Sequence, residues 1–248
     1  MNFLLSKVNK TSEYIAFLEG DDLFVPKYLE TKLAIFQKFP EVAIVYNNLD
    51  FINSQSKIFY KNALQKAPFY LKNKTLTKQQ FIEEENRYLS YSTLMIKKSV
   101  LEKEKIQNPT NDKLFSVSDR DLFFRIVTKY PCYCIEDSLT LYRRCEASVS
   151  RNNLKLFNDL EKQIEIYNQT RFIDKKLYSR KLSFIKLLKA VSYVENGDRK
   201  QSLKNLFASI RNNPFVLFNI YMIGTLIMNI LPQRINHSIL KIMIKRGE

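Results

Sequence analysis

Two adjacent carboxylates stand where an apolar run of the chain stops. Residues 14–18 are apolar, Asp21 and Asp22 follow them, and Pro26 then opens a segment with apolar residues at helical spacing. This pattern predicts a strand that delivers both carboxylates to its C-terminal end, where open α/β sheets bind ligands. Such a pair suits a hard divalent cation that carries phosphate oxygens. The alternative is a plain turn in which Asp22 caps the following helix.

Two further polar clusters adjoin apolar elements. Ser118 and Asp119 open a predicted helix over residues 119–130, where either one could serve as the N-cap. Arg143 and Arg144 follow Tyr142 at the end of a predicted strand, and guanidinium groups at that place can donate hydrogen bonds to phosphate oxygens. A solvated strand end is the other interpretation of the Tyr-Arg-Arg run.

The elements that must position these side chains form an α/β pattern. Short apolar or alternating runs predict strands, and apolar residues at helical spacing between Pro26 and Pro40 predict a helix. The predicted strands are residues 14–18, 42–46, 49–52, 56–60, 92–96, 132–136 and 139–142.

Three of these segments stand in the order of known motifs. Residues 13–30, 118–125 and 139–150 resemble the metal-binding strand, the helix start and the last strand segment of family 2 glycosyltransferases. The chain departs from that pattern at Glu19, Ser118 and Cys145, where the family usually has Asp, Glu and, in some members, His. The resemblance covers about residues 9–150.

The resemblance implies a fold, a reaction and roles for residues. It implies a GT-A, Rossmann-like mixed sheet and metal-dependent transfer of a sugar from a nucleotide-sugar donor with inversion. Asp22 would be the main metal ligand for Mn²⁺ or Mg²⁺, and Asp21 a ribose or metal contact. Asp119 would be the general base that takes the proton of the acceptor hydroxyl. Tyr142, Arg143 and Arg144 would lie beside the diphosphate.

The resemblance also implies that the first βα units of the fold are missing. Relatives carry these units before the acidic strand to bind the base and ribose, whereas this chain begins about a dozen residues before that strand. We therefore expect the strand at 14–18 to have an unpaired edge and an uncovered apolar face. A companion chain, a homodimer or a shortened gene product would each account for the gap.

Composition divides the chain near residue 150. Residues 151–248 have 18 Lys and Arg against 7 Asp and Glu, and their apolar spacing predicts a basic helical region after a sugar-transferase domain at 1–150. Cys132 and Cys134 share a strand face and, with only His237 in the chain, form no metal-ligand spacing. Reduced thiols favour a cytoplasmic protein.

The uncharged run 215–231 leaves two interpretations open. It is short for a membrane span, so we expect either a helix buried against the sugar-transferase domain or an interfacial helix that, with the basic residues 235–246, contacts the inner face of the plasma membrane. A lipid-linked or saccharide acceptor in surface polysaccharide synthesis would fit the second interpretation.

Two other functional classes remain as alternatives. A non-catalytic remnant, or half of a split enzyme, would keep the fold without turnover. Nucleic acid binding would fit the pI of about 9.6, but the basic residues are scattered and no nucleic-acid motif is present.

Overall fold

The computed structural model describes residues 7–63, 90–106, 112–144 and 153–231. The chain divides into two compact units, residues 1–148 and 149–248. The first is mixed α/β and the second is helical among its described residues. The sequence analysis placed this division at residue 150.

The first unit is built on a mixed sheet. Its strands follow the order β1-β5-β3-β6-β2, with β4 paired to β3. The pair β3 and β6 is parallel, and the other pairs are antiparallel. The strands are β1 (Tyr14–Ala16), β2 (Leu23–Phe24), β3 (Ile44–Ile52), β4 (Ile58–Tyr60), β5 (Leu94–Lys97) and β6 (Cys132–Arg143).

Helices are present where the sequence predicted them, after Pro26, at the Ser118 segment and beyond residue 150, whereas the short helix Lys98–Lys103 was not predicted. Those of the first unit are α1 (Tyr28–Lys38), α2 (Lys98–Lys103) and α3 (Ser118–Val127). Those of the second are α4 (Asn153–Gln169), α5 (Lys175–Glu195), α6 (Arg199–Asn212) and α7 (Ile220–Ile230).

The sequence analysis predicted two short strands separated by a break where the structure has the single strand β3, and again where it has β6. Both predictions of a break were wrong. Residues 42–46 and 49–52 belong to a single strand, and so do 132–136 and 139–142. The side-chain amide of Asn47 donates to Oγ1 of Thr140 (3.0 Å) and that of Asn48 to the carbonyl of Glu136 (3.2 Å), where the register between the strands shifts. Polar residues that suggested a loop are therefore hydrogen-bonded within the sheet.

The strand predicted at 14–18 is shorter than expected. β1 has three residues, pairs antiparallel with β5 and lies at one end of the strand order. β2, which the sequence analysis missed, lies at the opposite end. The connecting residues 17–22 must therefore cross the end of the sheet. Among the described residues, no strand pairs with the outer edge of β1.

A fully buried lysine ties α1 to the sheet. Nζ of Lys32 donates to the Tyr28 hydroxyl (3.0 Å) and to the carbonyls of Thr93 (2.6 Å) and Val45 (3.3 Å). It lies within the apolar layer formed by Tyr28, Phe36, Val42, Val45, Met95, Ile135 and Leu139. Burial lowers the pKa of Lys32 well below its usual value.

The second unit is organised around α5. Apolar residues of α5, α6 and α7 form a common core, among them Leu187, Leu206 and Met222. The run 215–231 forms a 3-10 turn (Pro214–Phe218) and α7, and Asn219 caps α7 by accepting from the amide of Tyr221. Of the described helices, none is long and apolar enough to cross a membrane. Residues 235–246 lie outside the described part of the chain.

The first prediction concerns Lys32. Because its pKa is lower in the folded than in the unfolded chain, the unfolded chain binds more protons, and stability should rise with pH up to the normal lysine pKa. Between pH 8 and pH 10 the free energy of unfolding of the wild type, relative to Lys32→Met, should rise by at least about 1 kcal/mol. Urea unfolding at both pH values measures this. Lys38→Met, at an exposed position of the same helix, should show no such change, and an equal change in both variants would contradict the prediction.

Candidate functional site

The carboxylates predicted from the sequence lie on a turn that crosses the end of the sheet. Residues 19–22, here called the acidic turn, are closed by a hydrogen bond from the amide of Asp22 to the carbonyl of Glu19 (3.1 Å). Asp21 is exposed and Asp22 is buried. Gly20 keeps a normal backbone conformation, and an added Cβ there would meet no atom within 4 Å.

Asp22 does not cap the following helix. The N-cap of α1 is Lys27, which makes no side-chain capping bond. Oδ1 of Asp22 instead accepts from the backbone amide of Arg143 (2.9 Å), which fixes the turn to the end of β6. Its Oδ2 is buried without a hydrogen-bond partner of good geometry among the described residues. Burial raises the pKa of Asp22, opposed by the nearby Ser92 hydroxyl and by the Arg143 amide.

Glu19 is held by a second turn from a distant part of the chain. Residues 90–93, here called the serine turn, precede β5 and contain the 3-10 helix Tyr91–Thr93. The Ser90 hydroxyl donates to Oε2 of Glu19 (2.5 Å), and the Glu19 amide donates to the Ser92 hydroxyl (3.0 Å). Burial raises the pKa of Glu19, the Ser90 bond lowers it, and the charges of Asp22 and Asp21 raise it further.

Asp119 lies in the first turn of α3, close enough to Glu19 for the charge of Glu19 to affect its pKa. The pKa of Asp119 is raised to about 7, first by burial and next by the negative charge of Glu19. Oδ1 of Asp119 accepts from the amide of Arg120 (2.7 Å), which lowers the pKa in part. The N-cap of α3 is Val117, without a side-chain capping bond, so the prediction of Ser118 or Asp119 as N-cap was wrong.

Tyr91 joins the serine turn to the start of α3. Its ring lies 5.5 Å from that of Phe17, and its hydroxyl forms a hydrogen bond with Ser118. Burial raises the pKa of Tyr91, and Asp119 lies close enough for its charge to contribute. The serine turn therefore contacts both the acidic turn and α3.

Arg143 holds backbone groups together. Its Nε donates to the carbonyl of Asp21 (2.8 Å), and its Nη1 donates to the carbonyls of Asn53 (2.6 Å) and Ser54 (3.2 Å). Its Nη2 donates to the Ser56 hydroxyl (3.0 Å). These bonds fix the acidic turn against the loop between β3 and β4, so the guanidinium of Arg143 is already engaged with the protein.

Arg144 and Tyr142 flank an aromatic ring at the end of β3. The exposed guanidinium of Arg144 lies 4.6 Å from the centre of the Phe51 ring. The Tyr142 ring meets the same Phe51 edge-on at 5.9 Å. Of the two arginines, Arg144 thus presents the more accessible cation. Cys145 lies outside the described residues.

The atoms of this site that could bind a metal ion are carboxylate oxygens. The described residues contain no group of three or more His, Cys, Asp or Glu side chains placed to hold a metal ion together. A divalent cation nevertheless fits the chemistry, because the buried carboxylate of Asp22 and the exposed carboxylate of Asp21 supply hard oxygen ligands. Mg²⁺ commonly uses one or two carboxylates and completes its shell with water and substrate phosphates.

Sequence reasoning found Asp21, Asp22 and Asp119 but missed what connects them. Glu19 was noted only as a departure from a motif, and Ser90, Tyr91 and Ser92 carried no signal except apolar alternation nearby. Comparison with known proteins adds no further site residue, since no protein-family model and no curated protein matches this chain.

The second prediction concerns Asp119. Because its folded-state pKa is raised, the folded chain holds the proton longer than the unfolded chain, and the wild type loses stability as pH rises from about 4 to about 7. Asp119→Asn lacks this loss, so its stability relative to the wild type should increase by about 2 kcal/mol between pH 5 and pH 8. Urea unfolding measures both. A pH-independent difference, like that expected for the exposed control Asp137→Asn, would contradict the raised pKa.

The third prediction separates the two arginines. Arg143→Met should lower the free energy of unfolding by about 2 kcal/mol, because it leaves several carbonyl acceptors without donors. Arg144→Met should cost less than about 0.5 kcal/mol, because only an exposed cation–π contact is lost. Hydrogen exchange of the Asp22 amide should speed up in the first variant alone. Equal stability of the two variants would show that Arg143 does not hold the turn.

Proposed function

We propose that this chain takes part in metal-dependent transfer of a sugar from a nucleotide-sugar donor to a saccharide or lipid-linked acceptor, with inversion at the anomeric carbon. The observation that carries the proposal is the coupling of Asp119 to the acidic turn through Glu19, although the two segments are far apart in sequence. A carboxyl group with a pKa of about 7 is suited to proton transfer near neutral pH.

Different residues of the chain have different roles in this reaction. Asp119 takes the proton of the acceptor hydroxyl while that oxygen attacks the anomeric carbon, and the bond from that carbon to the diphosphate breaks. Asp22 and Asp21 would hold Mn²⁺ or Mg²⁺, which when bound neutralises charge on the leaving diphosphate. Arg144, whose guanidinium is accessible beside Phe51, would donate to diphosphate oxygens, and Tyr142 would support that position. Arg143 acts as a positioning residue because it fixes the acidic turn.

The motif resemblance supports a GT-A fold for the first unit. The parallel pair β3 and β6 and the turn that carries Asp21 and Asp22 are compatible with it. Binding of the donor's base and ribose would need strands beside the outer edge of β1. Among the described residues that edge has no paired strand, and Leu18 after β1 is 52% exposed.

The fourth prediction tests metal-dependent donor binding. Isothermal titration of the full chain with UDP-sugars should release heat only when Mn²⁺ is present. Asp22→Asn should weaken this binding by at least about tenfold, because a neutral amide is a poorer ligand for a hard cation. Gly20→Ala is the matched control in the same turn and should bind as the wild type does, since its added methyl group meets open space.

Asp119→Asn then separates catalysis from binding. It should keep the Mn²⁺-dependent uptake of UDP-sugar and lower turnover by about 100-fold or more. If the chain takes up no nucleotide with Mn²⁺, the result would contradict sugar transfer by this chain alone and would favour a non-catalytic remnant or half of a split enzyme. If the chain instead binds RNA or DNA and this binding weakens with salt, the alternative of a nucleic-acid-binding protein would be favoured.

A further inference from the structure

The second unit exposes large apolar side chains along three consecutive segments. Phe207 on α6 is 70% exposed, Phe215 and Phe218 in the 3-10 turn are 78% and 85% exposed, and Ile230 on α7 is 79% exposed. Single exposed apolar residues are common on protein surfaces, but a concentration of this kind marks an interaction site.

α7 is apolar on both of its faces. Met222 and Met228 are fully buried against α5, where they contact Ala190 and Val194. Ile223, Leu226, Ile227 and Ile230 recur at helical spacing on the opposite side and are exposed. The packing of α7 on the protein therefore uses only half of its apolar surface. The buried face packs on helices of the same unit, and the exposed face is the one that the interfacial interpretation requires.

α6 adds cations to the exposed apolar side chains. Its inner face, which includes Leu206 and Ser209, is buried. Its outer face carries Lys204, Phe207 and Arg211 at helical spacing, all of them exposed. A helix surface that alternates basic and aromatic side chains is typical of segments that lie in the interfacial layer of a lipid bilayer.

The charge of this part of the chain has one sign. Between Asp198 and Glu248 the sequence contains eight Lys and Arg and neither Asp nor Glu. Two copies of such a surface would repel each other, and residues 232–247 carry the same sign of charge as α6. A partner surface with negative charge would complement these positively charged residues.

We propose that the outer faces of α6, the 3-10 turn and α7 bind an anionic lipid surface. The apolar side chains enter the boundary between headgroups and acyl chains, and the lysines and arginines pair with lipid phosphates. This binding is peripheral, and it is independent of sugar transfer because it uses only residues of the second unit.

The fifth prediction tests this binding with vesicles. The full chain should float with vesicles of phosphatidylcholine and phosphatidylglycerol, and hardly with phosphatidylcholine alone. Raising the salt concentration should weaken flotation, since exposed charges are screened. The double variant Phe215→Ser and Phe218→Ser should lower the affinity for anionic vesicles by at least about tenfold. Phe59→Ser, at an exposed phenylalanine of the first unit, is the matched control and should bind as the wild type does.

Charge variants provide a second comparison. Lys204→Glu should weaken vesicle binding, and Lys176→Glu, which changes the charge equally at an exposed position of α5, should have a smaller effect. Equal flotation of the wild type and the phenylalanine double variant would overturn the proposal. So would self-association without vesicles that this variant abolishes, because a second copy would then be the partner. A lowered unfolding midpoint with unchanged flotation would mean that the chain itself covers this face.

Discussion

The candidate site depends on the hydrogen bonds between Glu19 and the serine turn. A partly buried carboxylate and a buried backbone amide are both costly unless they are paired, and here hydroxyl groups of Ser90 and Ser92 pair with them. The same turn contacts α3 through Tyr91 and α1 through the carbonyl of Thr93, which accepts from Lys32. These contacts place the acidic turn, the first turn of α3 and the helix behind the sheet relative to one another.

The electrostatics of the site follow from this placement. Each of Glu19, Asp22 and Asp119 is moved out of water, and each has its pKa raised by burial before any other cause. Neighbouring negative charges add to the effect in all three groups, and Oδ2 of Asp22 is buried without a hydrogen bond of good geometry from the described residues. Such a cluster lowers stability when it is ionised, because burial and mutual repulsion outweigh the hydrogen bonds and the arginine charges that oppose them. Proteins retain this kind of cost mainly at functional sites, where the charges are needed for binding or proton transfer.

Local patterns in the sequence were enough to find most of the elements, though not β2 or α2, and did not predict the contacts between them. The position of α1 and the helical character of the second unit were predicted, because apolar spacing and turn residues act over a few residues. β3 and β6 were each divided wrongly, since the polar pairs Asn47-Asn48 and Asp137-Ser138 suggest loops until the pairing of the two strands is known. The motif positions identified Asp21, Asp22 and Asp119. The hydrogen bond from Ser90 to Glu19, which helps to place these carboxylates, could not be predicted. It joins segments that are distant in sequence, and neither Ser nor Glu is specific for such a contact.

The most direct test is a measurement of the pKa of Asp119 in the folded chain. Carbon NMR of the side-chain carboxyl, followed through a pH titration with a chelator present, reports this value for the wild type and for Glu19→Gln. We expect a pKa near 7 in the wild type and a lower value in Glu19→Gln, because the neighbouring negative charge is removed. A value near 4 that does not change in the variant would contradict the coupling between Asp119 and the acidic turn, and with it the proposed role in sugar transfer.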